Sequence, residues 1–304
     1  MSVRIGIFAG DTAGRVVDDV VAEAQGVADD GFAGYWIPNI FGLDALTVLA
    51  VVSREVPRIE LGTAVVPTYP RHPLTMAQTA LTVQAISGNR LVLGIGLSHQ
   101  VIVENMWGLS FEKPVRHMRE YLEIVTSVLQ AGRVDFDGET MSAHGGINAS
   151  GAEPVPVLVA ALGTRMLELA GRVAQGTITW MTGPATLADH TVPTITRAAE
   201  AAGRPAPRIA AGLPVLVTDD TDAGRARAAT VFQAYGAMPS YRAMIDREGA
   251  AEPADIAVIG NETAVRAELE RVADTGVTDL VAVEFASRRS PERARTREFL
   301  RSLL

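Results

Sequence analysis

Residues 59–96 read IELGTAVVPTYPRHPLTMAQTALTVQAISGNRLVLGIG. Two apolar runs, Ile59–Val66 and Arg90–Gly96, flank a helix-length stretch, Pro73–Ile86. The stretch opens on a proline, a residue favoured in the first helical turn. Apart from Glu60, Thr63 and Arg90 the runs are apolar, with no regular polar alternation, so each strand is expected to be buried on both faces. Strand, helix and strand in this pattern predict a parallel sheet.

The unit repeats in both directions. Upstream, Arg4–Ala9 reads as a strand. Arg15–Asp30 carries Val16, Val17, Val20, Val21, Ala24, Val27 and Ala28 at helical spacing and stops at Gly31. Strand Gly34–Ile37 and helix Leu43–Val56 follow, the helix ended by Pro57. Downstream come helix Pro114–Leu129, strand Val155–Ala161, helix Arg165–Ala174, strand Thr177–Met181 and helix Leu187–Ala202. Strand Arg208–Thr218, a helix from about Thr221, strand Thr278–Phe285 and helix Pro291–Leu304 complete the series. Eight such units in 304 residues predict an α/β fold, a (β/α)8 TIM-like barrel with insertions, as one domain. A doubly wound open sheet is the alternative, but no Gly-x-Gly-x-x-Gly follows the first strand. Two stretches exceed the repeat. One is a hairpin at about 133–146, marked by the Asp137-Gly138 turn signal. The other is an extra helical region at about 234–260, expected over the barrel mouth.

Composition removes several chemistries. There is no cysteine, hence no disulfide, thiol nucleophile or iron–sulfur ligand. The single lysine, Lys113, sits in a polar Glu112-Lys113-Pro114 stretch unsuited to a Schiff base. A net charge of −8 offers no basic face for nucleic acid. No apolar segment reaches the roughly 18 residues of a membrane span, and residues 1–11 resemble a first strand rather than a signal peptide. A soluble, cytoplasmic protein acting on a small molecule is expected.

In a barrel of this kind the site lies at the C-terminal ends of the strands. No His-x-His follows strand one, and the histidines at 72, 99, 117, 144 and 190 lack metal-ligand spacing. Asp11 and Glu284 are the only carboxylates at strand ends, on adjacent strands, which argues against a glycosidase pair. The strand ends are instead small and apolar, as Ala64, Val65, Ala161, Leu162, Gly163, Trp180 and Met181. Such a mouth suits a large flat cofactor. Ala161-Leu162-Gly163-Thr164-Arg165 is a strand end, a glycine and a helix start, where backbone N–H groups bind phosphate.

Four segments resemble the luciferase-like monooxygenase superfamily, and more narrowly its branch that uses coenzyme F420. They are Leu61–Pro73, Gly88–His99, Pro114–Tyr121 and Val159–Gly183. The resemblance implies a bacterial luciferase-like barrel and a homodimer. It implies a non-prolyl cis peptide at Ala64-Val65 that supports the central ring of the deazaflavin. It places the cofactor phosphate on Gly163, Thr164 and Arg165, beside Ala161 and Leu162, and lines the ring with Gly96, Ser98 and His99. Departures limit the transfer. Alcohol-oxidising members resemble one another in an Asp-His pair where this chain has Pro38-Asn39, and in a glutamate where it has His99. Reductases of methylene-tetrahydromethanopterin have an acidic residue at the position of Phe8.

His99 is therefore the candidate proton donor or acceptor, and Asn39 a candidate catalytic and cofactor-binding residue. His72 is read as a helix cap, and His117 and His190 as surface or interface residues. The function expected is hydride transfer between deazaflavin C5 and a small organic substrate. An FMN-dependent monooxygenase fed by a separate reductase, and a flavin-binding protein without turnover, are the alternatives.

Overall fold

The quoted stretch folds as its pattern predicts. In the computed structural model, which describes residues 3–304, His72 caps the helix Pro73–Ser87, its Nδ1 accepting the Leu74 N–H at 3.3 Å. Gly88 ends that helix at φ 65°, a left-handed conformation that glycine adopts without penalty.

Twelve strands are present among the described residues: β1 (Arg4–Phe8), β2 (Gly34–Ile37), β3 (Glu60–Thr63), β4 (Val66–Pro67), β5 (Leu91–Gly96), β6 (Arg133–Asp137), β7 (Ser142–Gly146), β8 (Val157–Val159), β9 (Gly176–Trp180), β10 (Arg208–Val217), β11 (Val258–Gly260) and β12 (Asp279–Glu284). Eight form a closed parallel ring in the order β1, β2, β3, β5, β8, β9, β10, β12. The ring closes through β12 on β1, with Arg4 opposite Asp279. The expected barrel is thus the fold. All eight strands expected from the apolar runs are in it.

Two differences from the expectation matter. The third strand is broken: β3 stops at Thr63 and β4 resumes at Val66, both pairing with β5. The 234–260 region holds a helix, Pro239–Glu248, and also β11, which adds a parallel strand to the upper part of β10.

The inside of the barrel is small. Trp36 fills its lower part among Val92, Leu158, Ile178, Ala210 and Val281. Gly62 makes the room: a Cβ there would lie 2.0 Å from the indole. Outside the ring a larger core packs the strands against the helices. The hairpin β6–β7 is held by Glu120, 2% exposed, whose carboxylate accepts the N–H groups of Glu139, Thr140 and Met141 within 3.2 Å.

Candidate active site

The break between β3 and β4 forms one wall of the barrel mouth. The Ala64-Val65 peptide is cis, at the position the family resemblance implies. Backbone bonds tie the bulge on three sides. Ala64 N–H donates to Ile37 O at 2.9 Å, Asn39 N–H to Val65 O at 3.4 Å, and Thr68 N–H to Gly96 O at 2.9 Å. Beneath it the Thr63 hydroxyl bridges Gly94, accepting its N–H and donating to its carbonyl, both at 2.8 Å. Ala64 and Val65 are half-buried and rest on the interior cluster around Trp36. They leave an apolar seat facing the mouth.

Asn39, at the end of β2, is half-buried. Its Oδ1 accepts the Ala45 N–H at 3.0 Å, so the side-chain amide N–H groups are the part left to donate. Gly96 is buried, and its lack of a side chain accommodates Val65, whose Cγ2 would lie 2.7 Å from a Cβ there. Ser98 turns the chain at φ 64°. His99 then begins a short helix, Gln100–Asn105, that sequence periodicity missed, but its side chain does not cap that helix. The imidazole instead faces Tyr241, ring centroids 5.9 Å apart. Burial lowers its pKa below the ordinary histidine value. Tyr241 comes from the Pro239–Glu248 helix, so the insertion does reach the mouth. From Tyr241 an aromatic chain runs through Tyr235, Phe232 and Trp180 to Phe8 at the end of β1.

The opposite rim is β8 and the helix Thr164–Val173. Ala161 is buried, Leu162 half-buried, and Gly163, Thr164 and Arg165 are exposed. Gly163 is the N-cap, and a Cβ there would meet no atom within 4 Å. A phosphate can therefore approach the open backbone N–H groups of the first turn, with the Arg165 guanidinium beside it. The site residues expected from sequence thus lie at the C-terminal ends of β2, β3, β5 and β8, which follow one another around the mouth.

Two expectations about other residues are corrected. His190 is not at the surface: it is 6% exposed and its Nε2 donates to the Leu162 carbonyl at 2.9 Å, steadying the loop before Gly163. His117 is half-buried, stacked on Tyr69 at 4.0 Å and 3.0 Å from the Thr68 hydroxyl. Burial pushes its pKa down to about 4. Glu284, the strand-end carboxylate of β12, is buried and clamped between Arg293 and Arg297. Their partners lie too far apart in the sequence for a helical pattern to reveal them. No group of three or more His, Cys, Asp or Glu among the described residues is arranged to hold a metal ion.

A family profile for luciferase-like monooxygenases matches residues 1–283. The chain belongs to the luciferase-like monooxygenase family. Within it, a 5,10-methylenetetrahydromethanopterin reductase of Methanolobus tindarius is 29% identical over 274 residues, 89% of this chain and 83% of that protein. A putative coenzyme F420-dependent oxidoreductase of Mycobacterium tuberculosis is 32% identical over 172 residues, 52% of this chain and 49% of that protein. The solved structure of a coenzyme F420-dependent tetrahydromethanopterin reductase from Methanopyrus kandleri superposes with a TM-score of 0.83 at 22% identity, over 99% of this chain and 98% of that one. Luciferase-like members therefore share both this barrel and its sequence pattern. No helix among the described residues is long and apolar enough to cross a membrane.

Proposed function

We propose that the protein is an F420-dependent oxidoreductase that moves a hydride between C5 of the deazaflavin and a small organic substrate. One observation carries this reading. Across a single barrel mouth, an apolar seat at Ala64 and Val65 is paired with an open helix start at Gly163, Thr164 and Arg165. A flat aromatic cofactor bearing a phosphate needs those two surfaces. The mycobacterial relative named for F420 supports the deazaflavin as that cofactor.

When bound, the deazaflavin supplies a two-electron hydride donor or acceptor. The chain's own residues hold, orient and exchange protons. Gly163, Thr164 and Arg165 would hold the phosphate, beside Ala161 and Leu162. Ala64 and Val65 would seat the ring, and the Asn39 amide would donate to a ring or substrate carbonyl. Gly96 leaves room for Val65, and the turn at Ser98 places His99 at the mouth, where it would line the ring. His99, its pKa lowered by burial, is neutral at pH 7. It accepts a proton from the substrate in the oxidative direction and returns it in the reductive one. The family likeness further supports a homodimer, which light scattering on purified protein checks.

The deciding experiment is titration of the purified protein with F420 and with FMN, followed by cofactor fluorescence. Saturable F420 binding, and hydride exchange independent of oxygen, are expected. Binding of FMN alone, with product formed only under air, overturns the reading in favour of a monooxygenase. F420 binding with no exchange across a broad substrate panel leaves a binding protein.

A further inference from the structure

On the far side of the mouth, the ends of β1 and β12 enclose a cavity of about 340 Å3. Its wall includes Phe8, Asp11, Arg227, Phe285, Arg288 and Arg293. In the sequence, this region is marked only by the strand-end carboxylates Asp11 and Glu284.

The charges of this wall divide into those already matched and those not. Arg293 is matched: it bridges Glu23 and also Glu284, the latter at 2.9 Å. Arg288 has no carboxylate within 4.0 Å among the described residues; its Nη2 donates to the Asp11 backbone carbonyl at 3.0 Å. Arg227 has only Glu292, at 4.0 Å, the outer limit of an ion pair. Its Nη2 donates to Phe285 O at 3.2 Å, and its Nε is buried with no hydrogen-bond partner. Asp11 lies in the same wall, with its Oδ1 taken by the Ala13 N–H at 3.0 Å. The wall thus carries two carboxylates, Asp11 and the Glu284 already held by Arg293 and Arg297, beside two guanidiniums that lack a close carboxylate. A buried donor without an acceptor costs roughly 1–3 kcal/mol, so such a group is poised for an acceptor from outside the chain.

The apolar part of the wall points to the other half of a ligand. Phe8 packs on the interior cluster that also receives Ala64 and Val65. Its ring stacks on Trp180 at 5.5 Å. Phe285 lies under the Arg227 guanidinium at 5.2 Å. A molecule here meets the Phe8 ring, which shares a cluster with the bulge, and the Arg227 guanidinium stacked on Phe285. Guanidinium forks match carboxylate and phosphate oxygens two at a time. The volume lies at the low end of small-molecule pockets.

We propose that this cavity binds the substrate, and that the substrate is a small organic oxyanion, a carboxylate or phosphate ester, held by Arg227 and Arg288. The proposal rests on the reading of the mouth as an oxidoreductase site for the word substrate, but the oxyanion site itself does not. Arg288 and Arg227 are the binding pair. Arg293 is a positioning residue that fixes the strand end through Glu284.

Calorimetric titration of the cofactor-free protein at low salt tests it, with inorganic phosphate and succinate as probes. Saturable binding of at least one probe is expected. Arg288→Gln and Arg227→Gln should each weaken it about tenfold, whereas Arg197→Gln, an exposed arginine of the helix Val192–Ala201 outside both the cavity wall and the helix start, should leave it unchanged. Arg288→Lys, which keeps the charge and loses the fork, should give an intermediate loss. Preference for phosphate points to a phosphate ester, preference for succinate to a carboxylate. Binding that falls with Arg165→Gln alone assigns the only oxyanion site to the helix start, and overturns the proposal. Absence of saturable binding by both probes overturns it as well. Arg288 is exposed, so its variants should keep the wild-type circular dichroism and thermal midpoint. An F420 titration on the same variants separates the two readings. Failure of F420 to bind wild-type protein defeats the cofactor reading and leaves the oxyanion result standing.

Discussion

The two ends of the barrel treat charge in opposite ways. At the N-terminal end the first residues of four strands, Arg4, Glu60, Arg208 and Asp279, form one network. Arg208 holds Asp279 at 2.6 and 2.9 Å and Glu60 at 2.7 and 3.1 Å. Arg4 reaches both carboxylates, at 3.2 and 3.5 Å. Above them the Arg208 guanidinium lies 5.5 Å from the Trp36 ring. Each of these four charges has a partner. At the C-terminal end, among the described residues, Arg288 meets no carboxylate and the Arg227 Nε has no hydrogen-bond partner, Gly163 opens a helix start to solvent, and His99 meets a tyrosine rather than a carboxylate. On the reading proposed above, the closed end uses these polar groups for the fold, and the open end leaves Arg227, Arg288 and the helix start for ligands. The two ends should then fail separately when mutated.

The largest test of that separation is Trp36→Ala. The indole is 1% exposed, and the glycine beside it has no side chain to fill the space. A loss of about 3–5 kcal/mol in chemical denaturation is expected. Arg208→Met should cost somewhat less, about 3 kcal/mol, because it leaves Asp279, with a side chain 5% exposed, to Arg4 alone. In protein that still folds, neither change should move the F420 affinity more than about twofold. A large loss of cofactor binding in either variant would break the comparison.

How much of this the sequence discloses depends on separation along the chain. The alternation of strands and helices is legible because strands buried on both faces leave unbroken apolar runs. The Gln100–Asn105 helix and β11, six and three residues long, are too short for periodicity to register. The bulge at Ala64 and Val65 is legible only through family resemblance, since nothing in an apolar run marks where it breaks. The closing ion network is invisible because Arg208 and Glu60 stand 148 positions apart. His190 shows the same limit. Helical spacing gives the face a histidine occupies but not the Leu162 carbonyl it meets across the loop.

His99→Ala moves the test to the open end. Turnover should fall about 100-fold, while denaturation stays within about 0.5 kcal/mol of wild type. The pH profile identifies the group. Burial lowers the His99 pKa from its ordinary 6.5, so the imidazole stays neutral at neutral pH and protonates only in more acid solution. In the oxidative direction the neutral form is the active one. kcat/KM should therefore be level above pH 6.5 and fall below it, with the fall displaced to the acid side of an ordinary histidine. The residual activity of the alanine variant should lack that limb. A limb that survives in the variant assigns the proton to another group.

The smallest effect is the most diagnostic, because its two readouts should move in opposite directions. Gly163 is an N-cap at φ −79°, a position where aspartate and serine cap better than glycine by a few tenths of a kcal/mol. Its Cβ would meet nothing within 4 Å, so neither substitution is crowded. Gly163→Asp should therefore raise stability slightly, helped by the helix dipole. The same carboxylate would stand where the cofactor phosphate is proposed to sit, and F420 affinity should drop about tenfold or more. Gly163→Ser supplies the cap without the charge and should leave affinity within about twofold. If serine weakens binding as much as aspartate, the backbone needs close approach and bulk is the cause. If neither weakens it, the phosphate lies elsewhere, and the open helix start loses its place as the second surface of the site.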